Sequence, residues 1–267
     1  MNYENLVTSV KERKNFLCVG LDTDPELIPD HLKDSEDPVF EFNRQIIDAT
    51  KNHCVAYKVN TAFYEAHGIR GWETLEKTAH YIPDTHFRIA DAKRGDIGNT
   101  SKNYAKAFFE IMPFDAITVS PYMGYDSILP FLEYENKCTI ILALTSNKSS
   151  NDFQMLDNMG EPIYARVVRT SMNWAHHSKI MYVVGATHPY QLREIRDMAP
   201  NHFFLVPGVG AQGGDLREIV DNGLNSNVGL LVNASRSIIY ASNGTDFAIE
   251  AQKAAQVLAD QMAEIFQ

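Results

Sequence analysis

Eight short apolar runs recur along the chain, each followed by an amphipathic stretch, and this alternation constrains the fold more than any other feature. The runs are Phe16–Leu21, Val55–Val59, Phe87–Ala90, Ala116–Val119, Thr139–Leu144, Ile180–Val184, Phe203–Val206 and Val228–Val232. Each has the length of a parallel strand buried on both faces. Helical stretches fall between them. Val39–Asn52 carries Phe40, Phe42, Ile46 and Ile47 on roughly one face, and Asn99–Met112 carries Tyr104, Ala105, Phe108 and Ile111. Gln191–Met198 and Leu216–Val220 are shorter, and Phe247–Phe266 closes the chain. Strand alternating with helix throughout implies an α/β fold whose sheet is covered on both faces. Eight strands in 267 residues favour a closed (β/α)8 TIM barrel, which needs ~250 residues, over an open sheet. The expected architecture is one barrel domain over residues 1–267, with an N-terminal helix, Tyr3–Lys14, capping its floor.

In such a barrel the active site lies at the C-terminal ends of the strands. Polar residues and glycines gather there in all eight cases. Asp22 and Asp24 follow the first run, Lys58 and Asn60 end the second, and Asp91 and Lys93 follow the third. Ser120, then Thr145 and Ser146, then Gly185 mark the next three. Pro207 and Gly208 follow the seventh, and Asn233, Ser235 and Arg236 the eighth. One polar strand end means little, because every strand ends in a turn; eight together point to a catalytic mouth.

Charge and cysteine usage narrow the partners. The formal net charge is −10, whereas a nucleic-acid binder needs a basic excess to replace phosphate counterions. An anion site here is a local positive spot in a negative field, which suits a small anionic ligand. The longest plainly apolar stretches, such as Cys138–Leu144, fall far short of the ~20 residues that span a bilayer. The first residues lack the apolar segment of a signal peptide. Cys18, Cys54 and Cys138 are an odd number without a close pair, so core thiols in a reducing cytoplasm are expected in place of disulfides or a zinc knuckle. His53 and His188 lack the spacing of metal ligands.

The densest chemistry is the segment from Arg88 to Thr100, with Asp91, Lys93, Arg94 and Asp96. Strand period places Asp91 and Lys93 on one face, with Ala90 and Ala92 toward the helices. One strand earlier, Tyr57 and Val59 face the helices, which turns Lys58 and Asn60 inward. Two lysines and a carboxylate therefore converge at the mouth, with Asp96 just beyond. A purely structural ion network stabilises weakly, because desolvation offsets attraction. A lysine flanked by carboxylates has its ammonium form favoured. That suits a fixed proton donor better than a Schiff-base nucleophile, which needs the neutral amine. Arg94 falls out of phase and is expected in a surface or interface salt bridge.

A glycine-rich stretch, Gly208-Val209-Gly210-Ala211-Gln212-Gly213-Gly214-Asp215, follows the seventh run. Glycines allow tight turns and close backbone approach to a ligand. Barrels often hold phosphate between the loops after strands seven and eight. A glycine loop and Arg236 at those two successive strand ends fit a phosphate grip, and the loop is a candidate lid.

Taken together, Asp91-x-Lys93-x-x-Asp96, the inward Lys58, the glycine stretch at 208–215 and Arg236-Ser237-Ile238 resemble the orotidine 5′-phosphate decarboxylase family, in its longer bacterial branch. The resemblance runs from the first strand to the last helix. It implies a homodimeric, cofactor-free enzyme that removes CO2 from C6 of orotidine 5′-phosphate to give UMP. It further implies that Lys58, Asp91, Lys93 and Asp96 form a charged tetrad with Lys93 as proton donor. Asp96, Ile97 and Thr100 would reach into the partner subunit's site. Asp22 and Lys58 would bind ribose hydroxyls, Ser146 the pyrimidine, and Arg236 the phosphate, with Gln212 bridging phosphate and base. Asn60, Pro207, Gly213 and Ser235 complete the implied substrate-binding set; many relatives have glycine where this chain has Ser235, whose backbone N–H still serves. Two alternatives stand beside this reading: a magnesium-dependent sugar-phosphate decarboxylase or aldolase of the same superfamily, which would need a further carboxylate ligand, and a non-catalytic nucleotide-phosphate binding barrel.

Overall fold

A computed structural model describes residues 1–208 and 214–266. Eight parallel strands close into a barrel: β1 (Leu17–Gly20), β2 (Ala56–Asn60), β3 (Phe87–Arg94), β4 (Ala116–Val119), β5 (Cys138–Leu144), β8 (Ile180–Val184), β9 (Phe203–Pro207) and β10 (Leu230–Ala234). They neighbour one another in chain order, and β10 returns to pair with β1. A two-residue antiparallel ribbon, β6 (Asp157–Asn158) with β7 (Glu161–Pro162), lies outside the barrel sheet. The helices are α1 (Tyr3–Arg13), α2 (Pro38–Thr50), α3 (Ala62–Glu65), α4 (Gly68–Tyr81), α5 (Gly98–Lys106), α6 (Tyr125–Leu132), α7 (Ile163–Ser171), α8 (Pro189–Met198), α9 (Leu216–Gly223), α10 (Arg236–Ile239) and α11 (Phe247–Glu264).

Local signals set these boundaries. Asn2 caps α1, its side chain accepting from the Asn5 N–H at 2.9 Å, and Lys14 ends it in the left-handed region. Asp37 caps α2 with Pro38 at its first position, and Asp215 caps α9. The strands are buried nearly end to end, as a sheet covered on both faces requires. α1 closes the floor: Leu6 and Val10 are fully buried, and Tyr3 packs edge-on against Phe203 while its hydroxyl donates to the Asn201 carbonyl. All three cysteines are buried free thiols, and burial pushes Cys54 and Cys138 up to about 12.

The expected elements are present with four differences. The eighth strand begins at Leu230, not Val228, because Val228 and Gly229 take positive φ in a tight turn with Asn225. The third strand runs on through Arg94. The stretch expected as one helix over Asn99–Met112 is α5 continued by a π-helical turn, Ala107–Ile111. Helices α4, α6 and α7 fall outside the helices expected from sequence; in α4 the buried face is largely small and polar, with Gly71, Thr74, Leu75, Thr78 and Ala79. Gly71 inside α4 is required by packing, since a Cβ there would lie 1.8 Å from the Tyr64 carbonyl oxygen, and α6 contains Pro130. Among the described residues, no helix is long and apolar enough to cross a membrane.

Candidate active site

Strand register assembles the charged group. Gly20 of β1 lies beside Lys58 of β2, and Asn60 lies beside Asp91 of β3. Lys58 points inward with its side chain only 4% exposed. Its ammonium donates to Asp22 Oδ1 and Asp91 Oδ2, both at 3.1 Å. Burial alone would lower the Lys58 pKa, but Asp22 and Asp91 outweigh it and hold the ammonium form well above the usual lysine range. Asp91 is buried too, yet Lys58 and Lys93 hold its carboxyl well below the ordinary carboxylate range. Lys93 donates to Asp91 Oδ1 at 2.6 Å and keeps half its side chain exposed.

Asp91 and Lys93 meet by a different route from simple strand alternation. The register between β3 and β4 slips between Ala90 and Arg94, and Lys93 adopts φ 49°. A non-glycine residue in the left-handed region costs about 1–3 kcal/mol and persists where its surroundings hold it. Arg94 makes the salt bridge expected of it, but a largely buried one. Its guanidinium pairs within its own chain with Glu65, donates to the Ala92 carbonyl at 3.1 Å and lies over the rings of Tyr104 and Phe108. The extra residues in β3 turn it back onto α3 and α5 instead of outward.

The adjoining wall, at the ends of β1 and β10, is polar. Ser235 donates to Asp22 Oδ2 at 2.9 Å and accepts from Asn233 Nδ2 at 3.2 Å. This approach requires Gly20, where a Cβ would lie 1.8 Å from Ser235 Oγ. Asn233 Oδ1 is buried without a hydrogen-bond partner among the described residues. A cavity of about 480 Å³ opens over this group, lined by Asp22, Lys58, Asn60, Asp91, Pro207, Ser235 and Arg236, with Gly208, Asn233 and Tyr240. It is large enough for a small phosphorylated ligand.

Seven sequence-predicted residues thus share one cavity, and Lys93 is tied to it through Asp91. Ser146 follows β5 and lies against Gly185 at the end of β8. Asp96, Ile97 and Thr100 do not join the group in this subunit: the Asp96 carboxylate accepts from the Ile97 N–H at 2.8 Å, and Ile97 is 55% exposed. Gln212 and Gly213 lie outside the described residues. Sequence reasoning missed Tyr240, whose oxygen accepts from the Asp24 N–H at 2.7 Å, and Phe63 at the rim. The available signal for Tyr240 was its place four residues beyond Arg236, where it ends the short helix α10. Among the described residues, no group of three His, Cys, Asp or Glu side chains is placed to hold a metal ion.

Comparison with known proteins agrees with this geometry. Residues 15–250 match the model of the orotidine 5′-phosphate decarboxylase / HUMPS family. The orotidine 5′-phosphate decarboxylase of Christiangramia forsetii is 55% identical, covering 98% of each chain, and that of Bacteroides fragilis is 53% identical, covering 99% of this chain and 98% of its own. The structure of Leishmania donovani OMP decarboxylase superposes with a TM-score of 0.86 at 34% identity, over 99% of this chain and 98% of that one. The chain belongs to the orotidine 5′-phosphate decarboxylase family.

Proposed function

We propose that the chain decarboxylates orotidine 5′-phosphate to UMP, the last step of UMP synthesis, with its own side chains supplying the charge. One observation carries this reading: Lys58, Asp91 and Lys93 form a single hydrogen-bonded chain of alternating charge at the cavity mouth. The difficulty of the reaction is a carbanion at C6 that the pyrimidine ring stabilises poorly. As the C6–CO2 bond breaks, its electron pair stays on C6, and the Lys93 ammonium is the nearest fixed positive charge. Lys93 then gives its proton to C6 and regains one from solvent. Asp91 sets a second anion beside the departing carboxylate, which disfavours the ground state relative to a transition state that has shed that charge. Enzymes lower barriers by roughly 8–23 kcal/mol, and this reaction calls on the upper part of that range.

The remaining roles are those that the family resemblance implies. Asp22 and Lys58 bind ribose hydroxyls, Ser146 hydrogen-bonds the pyrimidine, Arg236 grips the phosphate with the Ser235 backbone N–H, and Gln212 bridges phosphate and base; Asn60, Pro207 and Gly213 complete the substrate-binding set. Phosphate binding far from C6 contributes by orienting the base. The active unit is a homodimer in which Asp96, Ile97 and Thr100 complete the partner's site. The exposure of Ile97 beside exposed Tyr122, Met123 and Tyr125 supports a partner on this face. The free buried thiols suit a cytoplasmic setting. The test is the absorbance loss of orotidine 5′-phosphate with and without EDTA. Equal turnover in both is expected; loss on chelation, restored by magnesium, would move the chain to the sugar-phosphate enzymes of its superfamily.

A further inference from the structure

The strained backbone at Lys93 raises the question of what holds it. Along β3, four residue steps separate Ala90 from Arg94, whereas only two separate their partners Ile117 and Val119 on β4. Ordinary ladder hydrogen bonds therefore cannot serve the residues between. The Lys93 N–H, in the left-handed region, finds its acceptor in a side chain: it donates to Thr118 Oγ1 at 2.9 Å. The same hydroxyl donates its own proton to Asp91 Oδ1 at 3.0 Å, the oxygen that also receives the Lys93 ammonium. Thr118 is 1% exposed and does not line the cavity over the charged group.

We propose that Thr118 positions the Lys93–Asp91 pair, its one hydroxyl standing in for the missing strand partner at the bulge and fixing both the Lys93 backbone and the Asp91 carboxylate. The assignment rests on the decarboxylase reading above. The two bonds are mutually reinforcing. The anionic Asp91 draws the hydroxyl proton, which leaves an oxygen lone pair aimed at the Lys93 N–H. Branching at Cβ restricts the side-chain rotamer, so the hydroxyl is held where it is used. Arg94 secures the other end of the bulge through the Ala92 carbonyl and Glu65. Without the hydroxyl, the N–H of Lys93 and one site on Asp91 lose their partner. The lysine then samples other backbone conformations, and its ammonium leaves the reacting carbon. Thr118 is a positioning residue, because its contacts are to Lys93 and Asp91.

The test compares Thr118→Ser with Thr118→Ala, which differ by one oxygen, and adds Thr118→Val, which keeps the branched volume. For each, kcat and KM for orotidine 5′-phosphate are measured alongside a thermal melt. Losing a buried hydrogen bond and misplacing a reacting group lowers rates by about 10- to 100-fold. We expect that loss in kcat for the Ala and Val variants, with KM within about threefold of wild type, and Thr118→Ser within about threefold in both. Should the Ala variant fail to fold, the Val variant decides. Equal activity of Ser, Ala and Val variants, or a loss confined to KM, would overturn the positioning role while leaving the decarboxylase reading intact. A wild-type chain that releases no CO2 would instead overturn that reading and the assignment with it.

Discussion

The floor and the mouth of this barrel both bury charge, and they satisfy it differently. At the floor, Arg196 donates to four main-chain carbonyls, those of Gly223, Ala199, His202 and Gly229, and stacks 3.7 Å over the Phe204 ring. No carboxylate pairs with it among the described residues, and burial pulls its pKa down to about 9. Arg88 donates to the Ile82 and Pro113 carbonyls and also pairs with the exposed Asp84 carboxylate. The Arg196 donors are spent on the backbone and tie helix α8 to strand ends. At the mouth, Lys58, Lys93, Asp22 and Asp91 bond one another through side chains, with Lys93 half exposed and Asn233 Oδ1 unpartnered among the described residues. The lesson is that Arg196, satisfied by fixed carbonyls, is scaffold, whereas the charges at the mouth, satisfied by one another with Lys93 half exposed, make a site.

The largest effect expected from this contrast concerns the proposed sharing of the mouth between subunits. Lys93→Ala and Asp96→Ala should each be nearly inactive. Mixed as dissociated subunits, they should recover activity to about a quarter of wild type. Random mixing makes about half the dimers mixed, and each then holds one intact site, given two-fold symmetry. Demonstrated subunit exchange with no recovery would place Asp96 in its own subunit's site. Next in size is Arg236→Ala. Hydrogen bonds to a charged group contribute about 1.5–3 kcal/mol, so kcat/KM for orotidine 5′-phosphate should fall about 10- to 150-fold. The phosphate-free nucleoside should barely respond; equal losses would make Arg236 structural.

The floor should behave in the opposite sense. Arg196→Met should cost about 2–4 kcal/mol of stability, because several buried carbonyls lose their donor at once. Its kcat per folded molecule should remain that of wild type, and a kcat loss without destabilisation would break the contrast. The smallest effect is at His202, whose two ring nitrogens are buried without hydrogen-bond partners among the described residues. Burial first, then His177 and Arg196, hold its pKa down to about 4. The unfolded chain takes up this proton near the ordinary value of about 6.5. The stabilisation is therefore full above pH ~6.5 and is lost as pH falls toward ~4. His202→Phe should leave the melting temperature nearly unchanged at neutral pH and flatten part of its decline on acidification. An unaltered acid slope would contradict the role of His202.

Much of this molecule is legible in its sequence, and the exceptions have a common cause. The strands are readable because apolar runs such as Ile180–Val184 match a doubly covered parallel strand from end to end. Lys58, Asn60 and Asp91 are readable because β2 and the first half of β3 alternate regularly. What escapes is whatever depends on a departure from that period. The turn at Val228 and Gly229 moves a strand start, and Gly71 is dictated by one contact with Tyr64. The bulge after Ala90 redirects Arg94 and gives Thr118 its two partners. In sequence, Thr118 is one more β-branched residue of a strand. Its hydroxyl becomes meaningful only when the neighbouring strand is seen to slip.

The central claim is that the ion group at the mouth performs decarboxylation with Lys93 as its proton donor. Release of labelled CO2 from carboxyl-labelled orotidine 5′-phosphate, measured for wild type and Lys93→Ala in parallel with a thermal melt, tests it most directly. Rapid release by wild type and background release by a variant that melts like wild type is the expected result. A folded Lys93→Ala that still releases CO2 near the wild-type rate would contradict the account.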